Sequence, residues 1–172
     1  LPMSLCNSAA VMILPQCHQQ SIRPGIMLYG SSPLVDKTGP ELDLLHIMTI
    51  KSEIIALHDV RAGESVGYGQ AYIAKQDCRI AAVAIGYGDG YPRSAKSGTP
   101  VLIRGQQRPI AGRVSMDMIT VDVTDMNAAL GDKVTLWGTG LSADVVAKHC
   151  DTISYELFCQ ITQRVKIRYL GS

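Results

Sequence analysis

No stretch of this 172-residue chain approaches the roughly 20 consecutive apolar residues that span a bilayer, and no secretory leader pattern opens it. Neither charge predominates. With 16 Lys and Arg against 15 Asp and Glu, nothing electrostatic points to nucleic acid or an anionic membrane as partner. There is no CxxC pair, and no Cys/His spacing suggests zinc or another metal. The five cysteines (Cys6, Cys17, Cys78, Cys150, Cys159) are odd in number and scattered, which predicts free thiols and a reducing, cytoplasmic setting. His18, His46, His58 and His149 are equally dispersed and read as surface or packing residues. Methionine is lacking at position 1, where Leu1 begins apolar sequence that continues through Leu14. So abrupt a start leads us to expect a shortened or cleaved chain.

What remains is enough for one substantial core, or for one domain with part of another. Gly and Pro punctuation up to about Leu34 predicts short helix, loop, short strand and loop, the tail of an α/β unit. Ser31 to Glu41 is rich in Ser, Pro, Gly and Asp and reads as a linker. The chain thus divides into a terminal α/β segment with linker (1–40) and a mainly β domain (41–172). Within the latter, Leu44 to Val60 and Val66 to Ile73 read as extended runs, and Arg79 to Ile85 as a strand buried on both faces. Pro100 to Ile103 and Arg108 to Ala111 flank a hairpin turn at Arg104-Gly-Gln-Gln107. Val114 to Val123 reads as a strand whose apolar parity switches near Met118-Ile119, which predicts a bulge or bend. Lys133 to Trp137 and Arg164 to Tyr169 complete the strands. Two late helices are expected: Ala143 to His149 capped by Ser142, and about Ile153 to Ile161 capped by Thr152. The second carries an apolar stripe of Ile153, Leu157 and Ile161.

Five segments set a tyrosine, arginine or acidic group beside a glycine or turn, where a side chain can leave the core. They are Arg23-Pro-Gly-Ile26, Val66-Gly-Tyr-Gly69, Ile85-Gly-Tyr-Gly-Asp-Gly-Tyr-Pro-Arg93, Gly112-Arg-Val-Ser-Met-Asp117 and Ile153-Ser-Tyr-Glu156. Gly25 allows close approach of backbone N–H groups to an anion, and Ser8 adds a hydroxyl donor. Taken alone, that turn is equally an ordinary loop. Tyr68 lies between two glycines that thin the packing round it, so an exposed phenol competes with a half-buried core tyrosine. The segment from Tyr87 to Arg93 suggests a functional loop over a strand end, or a turn in which Asp89 bonds its own backbone.

In order and spacing, these segments resemble the C-terminal half of bacterial alanine racemase, over essentially the whole chain. The resemblance implies pyridoxal 5'-phosphate (PLP) as cofactor, with Ser8, Gly25, Ile26 and Tyr155 holding its phosphate and Arg23 facing the pyridine nitrogen. A guanidinium gives up no proton, so that nitrogen would stay unprotonated and the ring would be a weaker electron sink, which suppresses side reactions. Tyr68 matches the base that exchanges the Cα proton on the L-alanine face; a phenol of pKa about 10 needs tuning for that task. The backbone N–H of Met116 would meet the substrate carboxylate. Tyr87, Arg93, Arg113, Asp117 and Ile153 would line the entryway. Because the family pairs chains head to tail as a homodimer, Tyr68, Tyr87, Met116 and Asp117 would project into the neighbour's site.

The family's PLP-bearing lysine segment has no counterpart here. Lys37, Lys51, Lys75, Lys96, Lys133, Lys148 and Lys166 all fall in polar or turn-like contexts, whereas a Schiff-base lysine needs burial or a cationic neighbour. The resemblance therefore implies a piece inactive alone, which needs an N-terminal barrel half to interconvert L- and D-alanine for peptidoglycan. Two rivals stand beside it. One is a non-catalytic β domain, which need not keep Tyr68 or the phosphate set. The other is a related PLP racemase of broader specificity, or a decarboxylase, and Arg23 points away from the latter.

Overall fold

The computed structural model describes residues 3–171; Leu1, on which the expectation of a cleaved start rests, lies outside them. Its spine is β1 (Ile50–Val60), an 11-residue strand that serves two half-sheets. Ile50 to Glu53 pair with β8 (Lys133–Trp137), and Ala56 to Val60 pair with β4 (Cys78–Val83), the register breaking between Ile54 and Ala56. That irregularity bends the strand so that each end reaches a different neighbour. With β5 (Pro100–Ile103), β6 (Gln106–Pro109) and β7 (Ile119–Asp122), the antiparallel order is β6-β5-β8-β1-β4-β7. The two outer strands then meet: Ile110 bridges to Val121, and the Ala111 N–H donates to the Thr120 carbonyl at 2.8 Å. The sheet is thereby nearly closed, leaving little unpaired edge.

Inside lie Val101, Ile103, Ile119, Val121, Val134, Leu136 and Trp137, all fully buried. Each such side chain contributes about 1.5–3 kcal/mol. Helices α2 (Ala143–His149) and α3 (Ser154–Gln160) add Val146, Ala147 and Leu157 to the same core. The two-sided burial expected of β4 is present. Ala81 and Val83 face the main core, whereas Cys78 and Ile80 face a second cluster with Val66, Ala74 and Ala111. That cluster anchors a small hairpin, β2 (Ser65–Val66) with β3 (Tyr72–Ile73).

Several expected strands are shorter or missing. Leu44 to Thr49 is not strand; pairing begins at Ile50. Val66 to Ile73 is interrupted by a 3-10 turn over Tyr68–Gln70. Val114 to Met118 forms a tight loop, with the Ser115 N–H and hydroxyl both donating to the Met118 carbonyl. The parity switch thus marks where β7 starts, not a bulge within it. Among the described residues, Arg164 to Tyr169 has no ladder partner and is not a strand. Ser142 caps α2 as expected, accepting from the Asp144 N–H at 3.2 Å. Thr152 does not cap α3: the N-cap is Ile153, which has no side-chain acceptor, and the Thr152 hydroxyl goes to Glu156 instead. Of the stripe, Leu157 is buried but Ile153 is 62% exposed.

Ahead of the barrel, α1 (Ser8–Ile13) is capped by the Asn7 side chain, which accepts from the Ala10 N–H. The short strand expected there is only an isolated parallel bridge between Asn7 and Arg23. The segment read as a linker is fastened down. Asp144, in the first turn of α2, accepts from the Ser31 hydroxyl, the Ser32 N–H at 3.1 Å and the Gly39 N–H at 2.8 Å.

Candidate active site

The residues singled out from sequence gather at two places. The first joins the start of α1 to the turn before Tyr29. The buried Ser8 Oγ accepts from the Gly25 N–H at 2.8 Å and from the Met27 N–H at 3.4 Å. Its own proton is therefore left to donate outward. The Ile26 N–H has no partner among the described residues, although Ile26 is only 4% exposed. A hydroxyl proton and an unpaired amide side by side make a small anion cradle. Arg23 stands at its edge, fixed by its N–H to the Cys6 carbonyl at 2.7 Å and by Nη2 to the Leu5 carbonyl at 3.3 Å. Tyr155 comes from α3. Its neighbour one turn on, Phe158, stacks on Tyr29 with ring centroids 5.6 Å apart, which ties α3 to the turn that carries the cradle.

The second place lies past the C-terminal end of β4, where three loops enclose a cavity of about 200 Å3 lined by Tyr68, Tyr87, Arg93, Arg113, Ser115 and Met116. Tyr68 stands out on its turn, 76% exposed. Gly67 and Gly69 flank it at φ 76° and 66°, a left-handed backbone that glycine adopts without strain. Tyr68 is thus a turn residue held by the β2–β3 hairpin. Gly69 also passes close to Arg113, whose Nη1 would lie 3.6 Å from a Cβ there.

The loops after β4 and before β7 are bonded to each other. The Tyr87 N–H donates to the Ser115 carbonyl at 3.0 Å and the Gly88 N–H to the Met116 carbonyl at 2.8 Å. Gly86 permits this contact, because a Cβ there would lie 2.3 Å from the Ser115 oxygen and 2.4 Å from that of Met116. Met116 itself is 52% exposed, and its N–H makes no hydrogen bond among the described residues. Asp89 takes the turn-forming role: its Oδ2 accepts from the Gly86 N–H at 3.0 Å. Asp117 follows Met116 in the chain without lining the cavity, and Ile153, the exposed N-cap residue of α3, is not among the lining residues.

One residue of this region escaped the sequence reading. Arg164 places Nε 3.1 Å from Asp89 Oδ1 and Nη2 2.6 Å from Asp117 Oδ1. Hydrogen bonding to Asp117, then the charge of Asp89, pushes its guanidinium above the usual arginine range. No local motif marks it, since Asp117 is 47 residues away in sequence. A larger cleft of about 700 Å3 lies at the other end of β4, around Asp59, Arg61, Asp77 and Arg79. It contains none of the expected residues.

Comparison with known proteins agrees with this geometry. The family model described as alanine racemase, C-terminal domain, matches residues 47–169. An alanine racemase of Stutzerimonas stutzeri is 54% identical over 169 residues, covering 98% of this chain and 47% of the relative. The crystal structure of the biosynthetic alanine racemase from Pseudomonas aeruginosa superposes with a TM-score of 0.97 at 51% identity, covering 99% of this chain and 48% of that one. A Bartonella henselae alanine racemase, solved with covalently bound pyridoxal phosphate, matches with a TM-score of 0.87 at 29% identity, over 98% of this chain and 47% of that one. The chain thus spans about half the length of the relatives it matches. With the family model covering the whole β barrel and relatives above 50% identity along nearly all of this chain, the chain belongs to the alanine racemase family and corresponds to its C-terminal half.

Proposed function

We propose that this chain supplies the C-terminal half of a PLP-dependent alanine racemase, acting in the cytoplasm as a homodimer and providing D-alanine for peptidoglycan. The observation that carries the reading is the cavity rim, where an exposed phenol, Tyr68, and an unpaired amide, that of Met116, share one small space with Arg93 and Arg113. The residues of the first site fit PLP. The Ser8 hydroxyl proton and the Ile26 N–H would receive its phosphate, Tyr155 would flank it, and Arg23 would stand at the ring nitrogen. When bound, PLP supplies an electron-withdrawing ring that acidifies the Cα–H of an attached amino acid.

This chain's own residues do the rest. Tyr68 moves the proton at Cα on the L face, and the Arg113 guanidinium lines the same cavity. The Met116 N–H receives the substrate carboxylate and fixes which face of Cα meets the phenol. Tyr87, Arg93, Arg113, Asp117 and Ile153 border the approach to it. Inversion needs a second base on the opposite face. None of the seven lysines lines the cavity, and two of them, Lys96 and Lys133, are paired with Asp151 and Glu53. The lysine must come from an N-terminal barrel. The test is D-alanine formation from L-alanine with PLP, by the chain alone and mixed with a separately made N-terminal barrel. Turnover in the mixture only is expected. Silence in both, with each piece folded and associated, would overturn the reading.

A further inference from the structure

The Met116 N–H can serve as a carboxylate receptor only if its peptide plane is held, and the structure contains a device that holds it. The Ser115 carbonyl and the Met116 N–H belong to one planar trans peptide and point in opposite directions. The Tyr87 N–H grips that carbonyl at 3.0 Å, so it aims the Met116 N–H away from the turn after β4. The Gly88 N–H holds the next carbonyl, that of Met116, at 2.8 Å. Two backbone hydrogen bonds on exposed loops open readily unless the loops themselves are tied.

The tie is Arg164. Its Nε takes Asp89 on the turn after β4, and its Nη2 takes Asp117 on the loop before β7. Asp89 is fixed in turn through Oδ2 to the Gly86 N–H. The chain leaving α3 is stapled at the same point, with the Thr162 hydroxyl donating to the Gly88 carbonyl at 2.9 Å and the Thr162 N–H to the Asp89 carbonyl at 3.1 Å. Gly88 leaves room for the guanidinium, since a Cβ there would lie 2.3 Å from Arg164 Nη1.

We infer that Arg164 is a positioning residue for racemisation: by bridging Asp89 to Asp117 it clamps the two loops and so fixes the Met116 amide that receives the substrate carboxylate. This rests on the racemase reading above. It requires the planar fork of arginine, because a lysine ammonium is a point charge and does not hold two carboxylates in a set geometry.

The test uses Arg164→Ala and Arg164→Lys. In the chain, amide hydrogen exchange followed by NMR is expected to speed up at least about tenfold at Tyr87 and Gly88 in both variants, with the β4 amides unchanged. In the mixture with the barrel and PLP, KM for alanine is expected to rise about tenfold while kcat stays within about threefold. Unchanged exchange at Tyr87 and Gly88 overturns the inference. So does faster exchange with KM unaltered, full recovery by Arg164→Lys, or exchange accelerated throughout the barrel, which would mark a purely structural role. A wild-type mixture with no turnover sinks the racemase reading and the inference with it, whereas active wild type with indifferent variants sinks the inference alone.

Discussion

The cradle at Ser8 and the rim at Tyr68 are built in opposite ways. In the cradle, Ser8 and Ile26 are 3% and 4% exposed, and the hydroxyl already organises two amides of the same chain. At the rim, Tyr68 and Met116 are 76% and 52% exposed and touch little of their own chain. A phosphate site can be closed locally, because short backbone turns supply its donors. A site for proton transfer at carbon needs its reacting groups on opposite faces of the substrate. This chain presents one such face, and it looks outward. On the reading proposed above the rim meets a second surface, in keeping with a chain that spans about half the length of the racemases it matches.

Four substitutions would break or sharpen that contrast. Tyr68→Phe should act on chemistry alone: turnover in the reconstituted mixture falls by about 10^3-fold or more, while the thermal midpoint of the chain stays put because the hydroxyl is solvent-facing. An equal loss of midpoint would show Tyr68 to be structural. Gly86→Ala should do the reverse. Its Cβ meets two backbone oxygens, so stability drops by about 1–3 kcal/mol in denaturant melts, and the rim loses order with it. Ser8→Ala is expected to weaken PLP binding about tenfold by spectrophotometric titration, the equivalent of a hydrogen bond worth roughly 1–1.5 kcal/mol, with Tyr68-side exchange rates unchanged. An altered rim would deny the independence of the two places.

Tyr72 gives the smallest effect. Burial, then the charge of Asp122, pushes its phenol up to about 12, from an ordinary value of about 10. The unfolded chain therefore loses that proton at lower pH than the folded one. Stability from this group is fully present below about pH 10 and declines as pH rises toward 12. Tyr72→Phe should make the alkaline fall in melting temperature between those values shallower, leaving the neutral value within about 1 kcal/mol of wild type. An identical alkaline slope would mean that Tyr72 ionises freely in the folded hairpin.

Much of the frame was readable from residues because its causes are local. Ser142 before Ala143 is a hydroxyl at an N-terminus, and it caps. Arg104-Gly105 turns the β5–β6 hairpin with φ 48° and 77°, a left-handed pair for which glycine is the cheapest second residue. The apolar run from Arg79 was correctly a strand covered on both faces. The errors share one origin. Val114 to Met118 has strand-like composition but lies where the chain must curl to meet Gly86, and Arg164 to Tyr169 has β-branched residues but no neighbour to pair with. Propensity records how a residue fits a strand. It does not record whether a partner is present.

The sequence by itself determined a mainly β domain with two late helices, since apolar runs, turn glycines and the α2 cap act over a few residues. Through its resemblance to the racemase segments it also marked Ser8, Arg23, Tyr68 and Tyr155 as the candidates for the site. Only the tertiary structure decided that Tyr68 shares a cavity with Arg113 and Met116. It alone also decided that Arg164, 47 residues beyond Asp117, ties that rim together. Convergence of this kind depends on how β1 bends and where the barrel closes, and a pairing across such a distance leaves no trace in the spacing of neighbours along the chain.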